Sequence, residues 1–188
     1  MAKHDPIKGQ YIYLTVDGTE YRVYYEEAGS GIPLLVGHTA GSDGRQYRHL
    51  LCDTDVTDNF RTIAFDLPYH GKSLPPYGKK WWTEEYNMTK KLMMEFPNAL
   101  SKELELDQPV YMGQSMGGHL AIDLASKYPN NYRATIAVEG ALRSAAEYVE
   151  VGMSGIRFEF DNPNVNRAST GAAMMLNLSP YSPEESIR

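Results

Sequence analysis

The most constraining feature of this chain is the stretch Val110 to His119, in which Gly113-Gln114-Ser115-Met116-Gly117 follows a short apolar run and precedes an apolar-periodic segment. Pro109 to Met112 reads as a buried strand, and Leu120, Ile122, Leu124 and Ala125 read as the inner face of a helix. A strand that turns at once into a helix must bend sharply. Glycines on both sides permit this, because a Cβ there would meet the neighbouring turn, and the serine is then held in a strained conformation at the tip. The helix N-terminus lies beneath it, with free N–H groups and the positive end of the helix dipole suited to an oxyanion. Met116 N–H is the natural first donor.

The other segments alternate between strand and helix. Tyr11 to Val16 and Tyr21 to Tyr25 flank Asp17-Gly18, a hairpin signal because such a turn needs positive φ. Ile32 to Val36 is fully apolar, as a central parallel strand is, and leads into Gly37-His38-Thr39-Ala40-Gly41-Ser42. This loop lies at the carboxyl end of its strand, where open α/β sheets bind ligands, so Thr39 N–H is the candidate second oxyanion donor and His38 stands at the pocket rim as a possible substrate contact. Phe60 to Phe65 is the next strand. Thr83 is the expected cap of a helix with Glu84 and Glu85 in its first turn and Leu92, Phe96, Leu100 and Leu104 on one face, kinked or split at Pro97. Thr135 to Glu139 gives a further strand. The fold class is α/β, a mainly parallel sheet with helices on both faces.

Residues 1–142 form this core. From 143 to 188 the character changes: 145–149 and 172–176 suggest short helices around an Asn-rich loop at Asp161 to Asn166. These segments read either as the start of a lid over the serine or as a cover for a sheet face.

The order hairpin, Gly-His-Thr-Ala-Gly-Ser loop, Asp66-Leu-Pro-Tyr-His-Gly-Lys-Ser73 and Gly113-Gln-Ser-Met-Gly-Gly118 resembles the α/β-hydrolase superfamily over residues 10 to 142. The resemblance implies that Ser115 attacks a carbonyl, that a histidine takes its proton, that a carboxylate orients the histidine, and that two N–H groups hold the oxyanion. The family usually has His-Gly after its third strand. Here the order is Gly37-His38, and alignment on Gly41-Ser42 maps the oxyanion position onto Thr39. A serine nucleophile argues against haloalkane dehalogenases and epoxide hydrolases, which use aspartate. Ester or lactone hydrolysis is expected, with hydrolysis of a carbon-carbon bond next to a ketone as the runner-up and a noncatalytic small-ligand receptor as the alternative from another class.

The family's histidine follows its last strand, and no counterpart stands in these 188 residues. Moreover, Ser182-Pro183-Glu184-Glu185 carries a helix-start signature. The expectation is that the C-terminal part of the fold is missing here, and that a C-terminal continuation or a second chain supplies the histidine. Of the five histidines present, His4, His49, His70 and His119 read as surface, loop or structural residues. Glu139 stands 24 positions after Ser115, as in the minority of the family whose acid closes the sixth strand. A glutamate buried there needs a partner. Glu139 is therefore the candidate orienting acid, with a structural carboxylate or pocket residue as its alternative, and Asp66 reads as a loop-stabilising acid.

A net charge of -6 without a basic cluster excludes nucleic acid and anionic membranes as expected partners, leaving a small-molecule substrate. A single cysteine, Cys52, expected in the core, cannot close an internal disulfide, which fits the cytoplasm better than secretion. The opening residues have no apolar signal region. No metal-ligand spacing, phosphate loop or dinucleotide fingerprint is present, so no cofactor or metal is expected. Trp81, Trp82 and Tyr69 are available to line an apolar pocket.

Overall fold

A computed structural model of the chain describes residues 5–84 and 88–142. Six strands make one sheet: β1 (Lys8–Val16), β2 (Thr19–Ala28), β3 (Ile32–Gly37), β4 (Phe60–Phe65), β5 (Val110–Gln114) and β6 (Ala134–Val138), in the order β1-β2-β4-β3-β5-β6. The hairpin β1-β2 turns on Asp17 and Gly18, with φ 49 and 73, the pair of left-handed residues that a tight hairpin needs. Strand β2 lies antiparallel on β4, and β4, β3, β5 and β6 run parallel.

Alternate residues of the central strands enter different cores. Leu35, Ile63, Phe65 and Tyr111 pack with Phe96 and Leu100 of α3 (Lys90–Glu103) and with Leu120 and Leu124 of α4 (Met116–Lys127). Leu34, Val36, Ala64 and Val110 face the other way, onto Tyr47 and Leu51. Tyr47 ends a 3-10 turn, Gly44–Tyr47, and Leu51 belongs to α1 (Arg48–Cys52), which is followed by α2 (Thr54–Thr57). Side chains that alternate between two covered faces explain why β3 reads as an unbroken apolar run and why β4 ends in one, Ile63 to Phe65.

Three local expectations are corrected. Thr83 ends a 3-10 turn, Trp81–Thr83, and it is Thr89 that caps α3, accepting from Leu92 N–H at 3.2 Å. The apolar stripe that packs on the sheet begins at Leu92, and the helix starts at the nearest capping residue before it. Pro97 does not split α3. Side chains support the backbone on either side of it: Asn98 Nδ2 donates to Met94 O at 3.0 Å, and Ser101 Oγ donates to Pro97 O at 2.8 Å. Cys52 is exposed, because the helical step that follows buried Leu51 turns it outward.

The chain leaves β3 toward β4 on one side, then crosses back over β3 to reach β5 on the other. The carboxyl ends of β3 and β5 therefore flank the crevice where such sheets bind ligands. Strand β6, beyond β5, is mostly exposed, with Ile136 at 45% and Val138 at 41%. The lid, sheet-cover and terminal-helix readings of residues 143–188 lie outside the described residues.

Candidate active site

Ser115 links β5 to α4 with φ 52 and ψ -110, a conformation that a residue with a Cβ adopts only under strain. The surrounding backbone fixes it. Ser115 N–H donates to Val138 O at 2.9 Å, and Ser115 O accepts both His119 N–H and His119 Nδ1 at 2.8 Å. A Cβ on Gly113 would fall 2.3 Å from Gly117 C and O, and one on Gly117 would fall 2.2 Å from Gly37 O. The glycines thus let β5, α4 and the end of β3 close on one another. Ser115 makes no side-chain cap to its own helix, and Met116 N–H, the first amide of α4, has no intrahelical acceptor.

Across the crevice, Thr39 N–H donates to Gln46 Oε1 at 3.0 Å. Gln46 Nε2 donates to Gln114 Oε1 at 2.6 Å, and Gln114 Nε2 donates to Glu139 Oε2 at 2.8 Å. A backbone N–H at one end must donate and a carboxylate at the other must accept, so both amides have a defined orientation. Beside this chain, Tyr47 Oη donates to Gly37 O at 2.9 Å and accepts Gln114 N–H at 3.1 Å, bridging the ends of β3 and β5. Burial pushes the Tyr47 hydroxyl up to about 12, which keeps it neutral. Gln114 stands between Gly113 and Ser115 in the sequence motif, whereas no sequence signal marks Gln46 or Tyr47, whose partners lie far along the chain.

Glu139 follows β6 directly, with φ 53. It is exposed, which corrects the expectation of a buried carboxylate: β6 is an outer strand among the described residues, and Glu139 meets Gln114 at its solvent-facing end.

His38 is also corrected. It is fully buried rather than at a rim, with Nε2 accepting Leu67 N–H at 3.1 Å and Nδ1 donating to Thr39 O at 2.8 Å. This pairing fixes a neutral tautomer, and burial lowers the ring's pKa, reinforced by the nearby His70. His38 ties the loops after β3 and β4 together. Next to it, buried Asp66 accepts Gly44 N–H and Lys72 N–H, both at 2.7 Å, and serves as a loop-stabilising acid. Burial raises the Asp66 pKa against the pull of these two amides. His70 Nδ1 lies 3.0 Å from Pro68 O, and His49 is exposed on α1. Among the described residues, no histidine is bonded to Ser115 Oγ.

The profile of the alpha/beta hydrolase fold matches residues 32–182. The chain belongs to this family. It is 27% identical over 153 residues to a 2-hydroxy-6-oxononadienedioate/2-hydroxy-6-oxononatrienedioate hydrolase of Burkholderia vietnamiensis, covering 79% of this chain and 50% of that one. It is 27% identical over 120 residues to haloalkane dehalogenase 2 of Mycobacterium tuberculosis, covering 64% of this chain and 39% of that one. A thermophilic esterase from Thermogutta terrifontis shares the fold, with a TM-score of 0.72 at 23% identity over 95% of this chain and 64% of that one. The chain spans about half the length, or less, of these two curated relatives.

In this α/β hydrolase the described residues also form a cavity of about 230 Å³ on the hairpin side, away from Ser115. Its charged walls are paired: Glu26 takes Arg48 Nη2 on both oxygens at 2.8 Å, and Asp43 takes Arg45 at 2.7 Å. Trp81 and Trp82 are exposed, edge to face on one another. Among the described residues, no group of three or more potential ligands is placed to hold a metal ion, and no helix is long and apolar enough to cross a membrane.

Proposed function

We propose that this chain carries the nucleophile of a serine hydrolase that cleaves a carboxylic ester or lactone of a small molecule through an acyl-enzyme. The observation that carries the reading is the strained backbone of Ser115 at the head of α4. In this reading Ser115 Oγ attacks the substrate carbonyl, and the negative charge formed on its oxygen is held by Met116 N–H and Thr39 N–H. Glu139 orients the histidine that takes the serine proton and hands it to the leaving alcohol. That histidine comes from a C-terminal continuation of this chain or from a second chain. Water then releases the acid by the same route.

Aryl ester turnover by the full-length protein tests this. Ser115→Ala is expected to lower kcat by at least about 10⁴-fold. A wild-type protein inert toward esters, lactones and diketones alike would sink the proposal. The likeness to the Burkholderia hydrolase favours a second reading, in which the bond cleaved is carbon-carbon and lies next to a ketone. Faster turnover of 1,3-diketones or vinylogous 1,5-diketones than of esters would select it. The serine also separates both readings from chemistry that needs a carboxylate nucleophile.

A further inference from the structure

We infer that Gln46 is a built-in placeholder for the substrate oxygen: its side-chain carbonyl occupies Thr39 N–H in the free protein and must leave before that donor can hold an oxyanion. The inference rests on the serine-hydrolase reading and adds to it a residue that sets how readily the crevice accepts its ligand.

The geometry gives three reasons. First, Gln46 Oε1 meets Thr39 N–H at 3.0 Å, so the donor that the reaction needs already has an acceptor of the same kind as a substrate carbonyl. Second, the Gln46 side chain spans the crevice. It reaches from the loop after β3 to Gln114, the neighbour of Ser115, and through Gln114 to Glu139. Third, its backbone and its side chain differ in constraint. The turn that carries Gln46 is pinned by Asp43, which accepts Arg45 N–H at 3.0 Å, and by Asp66, which accepts Gly44 N–H. The Gln46 side chain is only partly buried and can rotate away without moving that turn. Without Gln46, Thr39 N–H would need another acceptor. The placeholder satisfies it, and an incoming oxygen with greater negative charge displaces the neutral amide because bonds to charged acceptors are stronger.

The test uses phenylboronic acid, whose adduct with a serine hydroxyl is tetrahedral and negatively charged, as inhibitor of aryl ester turnover by the full-length protein. Gln46→Met keeps the length of the side chain and removes its strong acceptor. It is expected to tighten inhibition by about fivefold, the equivalent of one ordinary hydrogen bond. Gln46→Glu places a charged acceptor on Thr39 N–H and removes the donor to Gln114, and it is expected to weaken inhibition by at least that factor. A merely structural role for Gln46 would shift both variants in the same direction, with a fall in Tm, and would overturn the inference. So would unchanged inhibition in Gln46→Met. Labelling of wild-type protein with an alkyl fluorophosphonate, located by mass spectrometry, keeps the two levels apart. No label on Ser115 overturns the hydrolase reading and this inference with it, whereas a labelled Ser115 with indifferent Gln46 variants overturns the placeholder alone.

Discussion

Ser115 and Glu139 both close parallel strands with a left-handed backbone, φ 52 and φ 53, yet their surroundings differ sharply. Around Ser115 the backbones of β3, β5 and α4 approach so closely that no Cβ fits on Gly113 or Gly117. Around Glu139 the strand is exposed, and among the described residues the carboxylate accepts from the Gln114 side-chain amide. The Ser115 corner is thus rigid by packing, while the Glu139 corner takes its position from a hydrogen-bond chain that begins on the opposite side of the crevice.

The contrast can be broken most strongly at Gly113. Gly113→Ala should cost at least about 3 kcal/mol in urea denaturation, by driving a methyl into the backbone of Gly117, while Val138→Thr on exposed β6 should stay within about 0.5 kcal/mol. Equal costs would dissolve the distinction between the corners. Next, Tyr47→Phe should destabilise by about 2 kcal/mol, because Gly37 O and Gln114 N–H both lose their buried bridge; thermal unfolding reads this directly.

The pH dependence follows from His38. Burial depresses its folded-state pKa, so below about pH 6.5 the unfolded chain binds a proton that the folded chain refuses. Its contribution is complete above that pH and is lost as pH falls toward the folded pKa, with a slope of up to about 1.4 kcal/mol per pH unit. Urea midpoints at pH 7.5 and 5.5 should converge in His38→Asn relative to wild type. A smaller effect, of opposite sign, is expected at Ser115: Ser115→Gly removes the Cβ from a strained conformation and should stabilise by about 1 kcal/mol, and under the proposed serine-hydrolase function it should also abolish ester turnover. Smallest of all, Glu139→Gln should change stability by less than about 0.5 kcal/mol, since the carboxylate is exposed. A larger loss would show the Glu139 corner to be as tightly coupled as the serine.

How much was legible in the sequence follows from the range of each interaction. Strands β3 and β4 could be read because both their faces are covered, and the elbow could be read because glycine spacing is a local demand of the turn. The start of α3 could not, because Thr83 and Thr89 carry similar capping chemistry and the choice is made by which apolar residues meet the sheet. His38 looked like a rim residue because a loop is usually wet; here its two ring nitrogens satisfy amide and carbonyl groups of neighbouring loops. Glu139 looked buried because the strand before it is apolar, but burial depends on what lies over the strand. Gln46 left no trace, since its partners Thr39 and Gln114 are set by the fold and not by spacing.

The pairing of β3 with β5 joins Leu34 to Val110 and Gly37 to Gly113, across all the chain that forms β4 and α3. Closing so long a loop costs conformational entropy before any contact returns it, whereas the hairpin β1-β2 closes on neighbours in sequence and can form in microseconds. During refolding the crevice should therefore be assembled late. Pulse-labelled amide exchange would find the amides of Val110 to Gln114 protected after those of Tyr11 to Val16, and protection of the Ser115 amide would be the kinetic signature of the last step, not of the first collapse.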